Sequence, residues 1–309
     1  MALIGFLGER PESFRCGWRN GTADSADTEE GTMIGKVYLV GAGPGDPELL
    51  TVRAARILGE AEVVLHDGLV SREVVQLAVH AQVIDAGKRC GNNKRVTQEQ
   101  INAMLVEHAR RGRIVVRLKG GDPLIFGRAG EEIAALQAAG IAYEIVPGVT
   151  TASCAAAAAG ISLTYRRGAS SLVFLPGHGG QGKSGNDWPD LNPKGADAPD
   201  VTVAVYMPGT DYAALRDRLL AAGMAPSTPC LLVSGVGTDA SLSHRTTLAE
   251  LPSAPDLPAP KILLAGKVVR AVPMTRHHAS QPDIEAEELD VLHNEQWLEQ
   301  EFDVLVEKA

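Results

Sequence analysis

No stretch of this 309-residue chain approaches the roughly 18 consecutive apolar residues of a membrane helix, so no membrane span is expected. The opening "MALIGFLGERPESF" has too short an apolar run, and no basic start, for a secretory leader. Cysteine is scarce: Cys16, Cys90, Cys154 and Cys230 are scattered, with no C-x-x-C pair. That spacing points to neither a metal site nor a disulfide framework, and a reducing cytoplasm is the expected location. Aromatics make up only 4%, and no concentrated basic stripe carries them, which argues against nucleic acid as a partner. What remains is 45% hydrophobic and 22% charged, a globular composition on a chain long enough for two ordinary domains.

The formal charge of −9 is unevenly placed. Residues 1–35 set three arginines against six acids, and residues 273–309 set two cations against ten acids. The tails therefore carry −3 and −8, and residues 36–272 carry +2. A slightly basic centre is compatible with an anionic small substrate.

Residues 1–33 are polar and aperiodic and read as a disordered N-terminal extension. From residue 34 strands and helices alternate with short connections, the pattern of an α/β protein. "KVYLV", "EVVLHD", "QVIDAG", "RIVVRL" and "AYEIVPG" are strands. "ELLTVRAARILGEA", "REVVQLAVH", "TQEQINAMLVEHARRG" and "GRAGEEIAALQAAG" are helices, the third opened by a Thr97–Gln100 capping box and closed by Gly112. Residues 34–148 form a first α/β domain on this reading, and residues 149–272 a second. The second holds the helices "TTASCAAAAAG" and "DYAALRDRLLAAG", the latter capped by Asp211, and the strands "SSLVFLPG", "VTVAVYM", "PCLLVSG" and "KILLAGKVV". Between them, residues 179–200 are too rich in Gly, Pro and Asp for regular structure. The acidic tail, 273–309, has helical spacing at Leu298, Phe302, Leu305 and Val306.

"VYLVGAGPGDPELLT" runs from a strand through a glycine turn into a helix start. The dinucleotide loop G-x-G-x-x-G matches at Gly41 and Gly43, with Asp67 as a possible ribose acid, but Asp46 stands where the third glycine belongs. "LKGGDPLIFGR" has the same design, glycines followed by Asp-Pro. Asp46-Pro47 is a good helix start and Asp122-Pro123 can begin a helical turn, which accounts for both pairs by structure alone. It does not account for the glycines before them, which let backbone approach something closely. A phosphate at either turn would meet a carboxylate where the anion ought to sit. A ligand with ribose hydroxyls, an amine and a positive sulfur suits these turns better, and S-adenosylmethionine has those groups.

Five stretches in order, "VYLVGAGPGDPELLTVRAARILGEAEVVLHDGLVS", "RIVVRLKGGDPLIFGRAGEE", "IVPGVTTAS", "ISLTYRRGASS" and "VYMPGT", resemble the uroporphyrinogen-III C-methyltransferases, a branch of the tetrapyrrole (precorrin) methylases. The likeness covers roughly residues 34–272. It implies the class III methyltransferase fold, two α/β domains with an active-site cleft between them, working as a homodimer. It implies transfer of two methyl groups from S-adenosylmethionine to C2 and C7 of uroporphyrinogen III, giving precorrin-2 for siroheme- or cobalamin-type tetrapyrroles. The residues carried over for the cofactor are Pro44, the Gly120-Gly121-Asp122 turn, Ile125, Thr150, Thr151, Met207, Val236 and Ala265. For Met207 the competing account is ordinary packing at a strand end.

The pyrrole carbons of the reduced macrocycle are electron-rich enough to attack a sulfonium methyl directly, so alignment supplies much of the rate. A proton must leave the ring afterwards, which asks for a base and an acid. The resemblance places Asp67 as proton acceptor and Lys88 as donor. Against this, Asp67 ends a strand where an Asp often makes a turn, and Lys88 with Arg89 reads equally as a solvated basic pair. The substrate's eight carboxylates call for gathered cations, among Lys88, Arg89, Lys94, Arg95, Arg117, Lys119, Arg128, Arg166 and Arg167. Arg166 and Lys88 are the leading candidates, while Arg128 has Glu131 or Glu132 to face on its own helix. Arg117 and Lys119 alternate on one strand and so share a face. Tyr165 stands where the family usually has histidine. No further domain for siroheme oxidation or iron insertion is expected in the chain. The rival readings are a later precorrin methylase, a nicotinamide-dependent oxidoreductase and a silent binding module.

Overall fold

The computed structural model describes residues 34–87, 89–90, 94–166, 169–177, 188–192 and 200–270. The expected N-terminal extension, most of the 179–200 loop and the acidic tail, like Lys88 and Arg167, lie outside the described residues.

The first sheet is built from β1 (Lys36–Gly41), β2 (Val63–His66), β3 (Gln82–Asp85), β6 (Ile114–Lys119) and β7 (Ala142–Val146), while β4 (Arg89–Cys90) and β5 (Lys94–Arg95) form a separate two-stranded pair. Its order is β3-β2-β6-β1-β7, and every pairing is parallel. Parallel strands need crossovers that cover both faces, which is why β1 and β6 are buried on both sides. Val37, Leu39 and Val115 face α3 (Gln98–Arg110) and α4 (Ala129–Ala138). Val40, Val116 and Leu118 face α1 (Val52–Glu60) and α2 (Arg72–Val75).

The second sheet comprises β8 (Ser171–Pro176), β9 (Val201–Tyr206), β10 (Pro229–Ser234), β11 (Leu242–Thr247) and β12 (Lys261–Ala265), in the order β11-β10-β12-β9-β8. Only β8 and β9 run parallel; the other three pairings are antiparallel. The alanines of α5 (Thr151–Ala158) let that helix sit closely against Ala204, Leu231 and Leu264 on one face. On the other face α6 (Tyr212–Ala221) packs Leu215 and Leu219 against Val203, Val205 and Leu263.

The Thr97–Gln100 capping box, Gly112 in the left-handed region (φ 79°) and the Asp211 cap all form. Three features differ from the sequence reading. The helix expected from Glu48 is a single 3-10 turn, Pro47–Leu49, and α1 starts only at Val52. Two caps compete there: Asp46 accepts from the Glu48 amide at 2.8 Å, and Thr51 accepts from Ala54 at 3.1 Å after an extended Leu50. The expected helix "REVVQLAVH" is one turn capped by Ser71, because the stretch lies at the surface with Leu77 and Val79 exposed. Asp122-Pro123 does begin a turn: the Asp122 carboxylate accepts from the Leu124 amide at 2.8 Å and its carbonyl from the Ile125 amide at 3.3 Å. Strand β11, "LSHRTT", was hidden because it is a polar, half-exposed edge.

Candidate active site

The two glycine turns leave β1 and β6 side by side, since Gly41 pairs with Lys119 in the sheet. Beyond the strands the backbones stay joined. The Gly121 amide donates to Gly43 O at 2.7 Å, and the Gly43 amide donates back to Gly121 O at 3.2 Å. A third turn closes on them: a Cβ on Gly148 would stand 2.3 Å from Gly121 O and 2.8 Å from the Gly41 Cα. The glycines are therefore required by backbone packing backbone. The Gly148 amide also donates to Asp122 Oδ2 at 3.0 Å, so the Asp122 carboxylate ties the second turn to the third.

The first turn also reaches the second half of the chain. A Cβ on Gly237 would stand 2.9 Å from Pro44 Cγ, and one on Gly45 would stand 3.1 Å from Gly237 O. Between the halves lies a cavity of about 170 Å³ at the carboxyl ends of the parallel strands, where open α/β sheets bind their ligands. From the first half it is lined by Pro44, Gly120, Gly121, Asp122 and Ile125. From the second come Thr150, Thr151, Met207 and Val236. Nine of the ten residues carried over for a cofactor thus share one cavity wall. Ala265 does not: it is fully buried in the second core, and its backbone pairs in the sheet with Cys230 and Val203. Arg166 is exposed and lies outside the cavity lining.

The packing account of Met207 fails, because its side chain lines the cavity and the residue is 41% exposed. Its backbone is left-handed (φ 52°), as is that of Phe126 (φ 53°), which also lines the cavity. Residues held in this region concentrate at ligand sites. Tyr206 fixes both sides: its ring lies 5.1 Å from that of Phe126, its hydroxyl meets Thr150 Oγ1 at 2.5 Å, and it accepts from the Ala152 amide at 3.3 Å. Burial pushes the Tyr206 hydroxyl pKa up, so it stays a neutral hydrogen-bonding group. Tyr206, Phe126, Leu69 and Lys261 line the cavity without having been singled out in the sequence. The first two sit inside "VYMPGT" and "LIFGR", where an aromatic beside a strand end was the available signal.

Asp67 lies in the same wall and is one-third exposed. Its carbonyl does make a turn, accepting from Val70 at 3.2 Å, but its carboxylate is not spent there. Oδ1 is gripped by Arg117 Nη2, and Lys119 Nζ stands 4.0 Å from Oδ2. Arg117 and Lys119 share a face as their alternation implies, but that face is buried: both residues are 2% exposed and both donate to Glu132 Oε1 at 2.9 Å. They are internal partners of acids and are not free to clamp a substrate carboxylate. Burial and the neighbouring Arg117 push the Lys119 pKa down. Burial works in the same direction on Arg117, but Asp67 and Glu132 outweigh it and hold that guanidinium firmly charged. Arg128 is taken up by Glu131, with two contacts of 2.7 Å.

The charge of the lining matches the turn argument. Asp67 and Asp122 face the cavity with one described cation, Lys261, whose ammonium is already held by Asp256 and by the Tyr212 hydroxyl at 3.0 Å. Such a wall suits a cationic ligand and repels a phosphate.

Residues 36–252 match the family model of Tetrapyrrole (Corrin/Porphyrin) Methylases. The chain belongs to the tetrapyrrole methylase family. Its curated relatives include a siroheme synthase of Azotobacter vinelandii, 46% identical over 241 residues covering 77% of this chain and 51% of that protein. A siroheme synthase of Chromobacterium violaceum is 45% identical over 239 residues, covering 76% and 50%. The chain thus spans about half the length of the curated relatives it matches. Among solved structures it is similar to the uroporphyrin-III C-methyltransferase of Thermus thermophilus, with a TM-score of 0.64 and 41% identity, covering 77% of this chain and 95% of that one. Another structure of the Thermus enzyme, complexed with S-adenyl homocysteine, is 39% identical with the same TM-score and covers 77% of this chain and all of that one. A cobalt precorrin-4 methyltransferase shares the fold at a TM-score of 0.64 and 28% identity, covering 76% and 95%. The family match and the Asp46 that stands where a third glycine belongs both count against the nicotinamide-dependent reading. No helix among the described residues is long and apolar enough to cross a membrane.

Proposed function

We propose that the chain is an S-adenosylmethionine-dependent C-methyltransferase that methylates uroporphyrinogen III twice, at C2 and C7, to give precorrin-2. The observation that carries this reading is the wall shared by Pro44, the Gly120-Gly121-Asp122 turn, Thr150, Thr151 and Met207, in a chain similar at 41% identity to a uroporphyrin-III C-methyltransferase over 95% of that protein. When bound, S-adenosylmethionine supplies an electrophilic methyl on a positive sulfur. The chain's residues do the rest by placement. The three glycine turns bring backbone amides and carbonyls to the adenosine without side chains in the way. The carboxylate-lined wall offsets the donor's positive charge, and Phe126, Met207 and Leu69 offer an apolar face to a flat ring. Asp67 is the proton acceptor for the methylated ring, being the carboxylate of this wall with one oxygen, Oδ2, that accepts no hydrogen bond among the described residues, whereas both Asp122 oxygens accept backbone amides. Lys88 as donor and Arg166 as a substrate contact follow from the resemblance.

The active unit in this reading is a cytoplasmic homodimer. Supporting the dimer, β3 is a sheet edge with Val79 and Val83 exposed beside it. The test is anaerobic incubation with uroporphyrinogen III and methyl-labelled S-adenosylmethionine. Label recovered in the tetrapyrrole is expected, and label that stays entirely in the donor overturns the assignment. Calorimetry should show binding of S-adenosylhomocysteine and none of NAD.

A further inference from the structure

Behind the cavity wall lies a cluster of charges of which only Asp67 reaches the cavity. Glu132 is fully buried, and its Oε1 receives Arg117 Nε and Lys119 Nζ, both at 2.9 Å, and Gln98 Nε2 at 3.3 Å. Its Oε2 has no hydrogen-bond partner among the described residues. The Arg117 guanidinium is locked further by Nη1, which lies 3.4 Å from the carbonyls of Leu65 and of Leu118. Two cations and two acids balance, yet three of the four are at most 3% exposed. Enclosing such ions is costly, and apolar side chains of similar volume often serve stability as well. Stability is therefore a poor reason for the cluster. The chain of pairs ends at Asp67, the one member that opens onto the cavity.

We propose that Glu132 is a positioning residue for the reaction at Asp67. It anchors Arg117 and Lys119 so that Arg117 fixes Oδ1 of the Asp67 carboxylate, while Oδ2, which has no hydrogen bond among the described residues, is left to take the proton. The device is electrostatic as well as geometric, because one anion behind two cations sets how much positive charge Asp67 feels. The charged and titratable groups around Asp67 are Arg117 and Lys119 from β6, Glu132 from α4 behind them, His66 beside it with Nδ1 at 3.0 Å from the Asp67 carbonyl, and Asp122 in the same cavity wall. Gly127 belongs to the arrangement too: a Cβ there would stand 3.1 Å from Lys119 Cε.

This inference rests on Asp67 as proton acceptor, and the test separates the two. Glu132→Gln, Lys119→Met and the double variant are compared with wild type in the pH dependence of kcat and in affinity for S-adenosylhomocysteine. Removing the anion leaves two cations on Asp67 and moves the acidic limb of kcat to lower pH. Removing a cation moves it to higher pH, each by about one unit. The double variant restores the balance and returns the limb toward wild type, with cofactor affinity within about twofold throughout. A purely structural cluster would move neither limb and would make the double variant the worst of the three; either result overturns the inference. If Glu132→Gln does not fold, the upward shift in Lys119→Met is still required. Asp67→Asn is the control for the underlying reading: wild-type turnover there removes Asp67 itself. A slow Asp67→Asn with unmoved limbs in the other variants removes only the role of Glu132.

Discussion

Gly148→Ala adds one methyl group where three backbone segments meet. The new Cβ would lie 2.3 Å from Gly121 O, 2.8 Å from Gly41 Cα and 2.9 Å from Gly41 C. None of these is the far end of a flexible side chain, so the turns themselves must move by about 1 Å to reach ordinary contact. The φ of Gly148 is not in the left-handed region, so the whole effect is steric. Overpacking of this kind costs about 1–3 kcal/mol, and moving Gly148 also strains its amide bond to Asp122 Oδ2, a charge-assisted bond worth about 1.5–3 kcal/mol. A misplacement of about 1 Å is worth on the order of 100-fold in rate. The expected result is a drop in urea midpoint and at least a tenfold weaker calorimetric affinity for S-adenosylhomocysteine. Gly130→Ala, inside α4 with nothing within 4 Å of its Cβ, is the matched control and should stabilise by about 0.5–1 kcal/mol. A Gly148→Ala protein that binds the ligand as wild type does would refute the argument that packed turns shape the cofactor wall.

Asp67→Ala should lower turnover by more than it lowers affinity for S-adenosylhomocysteine, as read by steady-state kinetics and calorimetry; equal losses would make Asp67 a binding residue. Burial pushes the Cys230 thiol up to about 12 from an ordinary 9.0, so the unfolded chain releases this proton first as pH rises. That stabilisation is complete below about pH 9 and is lost toward pH 12, at up to about 1.4 kcal/mol per unit. Wild type should therefore lose more stability than Cys230→Ala between pH 9 and 11 in urea unfolding, and parallel curves would contradict the assignment. Thr97→Ala removes the cap that accepts from the Gln100 amide at 3.3 Å and should cost about 1 kcal/mol, checked by thermal unfolding.

Most of the strands and helices could be read from the sequence because their periodicity and caps agree with one another. The failures have local causes. Asp46 and Thr51 offer two caps five residues apart, and the chain uses both, which pattern alone does not arbitrate. The polar edge strand β11 buries too little to show an alternation. The cavity lining proposed for the cofactor was legible through its motifs, since glycine turns and Asp-Pro pairs are local. The cluster around Asp67 was not. Arg117 and Lys119 find Glu132 fifteen and thirteen residues later, across a turn and onto a helix, so their strand alternation showed a shared face but not that the face is buried. Ala265 shows the opposite limit: it is carried over by resemblance outside the quoted motifs, and its side chain belongs to the second core.

The central claim is that this cavity brings a methyl donor to two successive pyrrole carbons of one macrocycle. Counting labelled methyl groups per tetrapyrrole, by mass spectrometry of the product of an anaerobic reaction run to completion with excess S-adenosylmethionine, tests it most directly. Two methyls per uroporphyrinogen III are expected. A product that stops at one, or carries none while the protein still binds S-adenosylhomocysteine, would contradict the account.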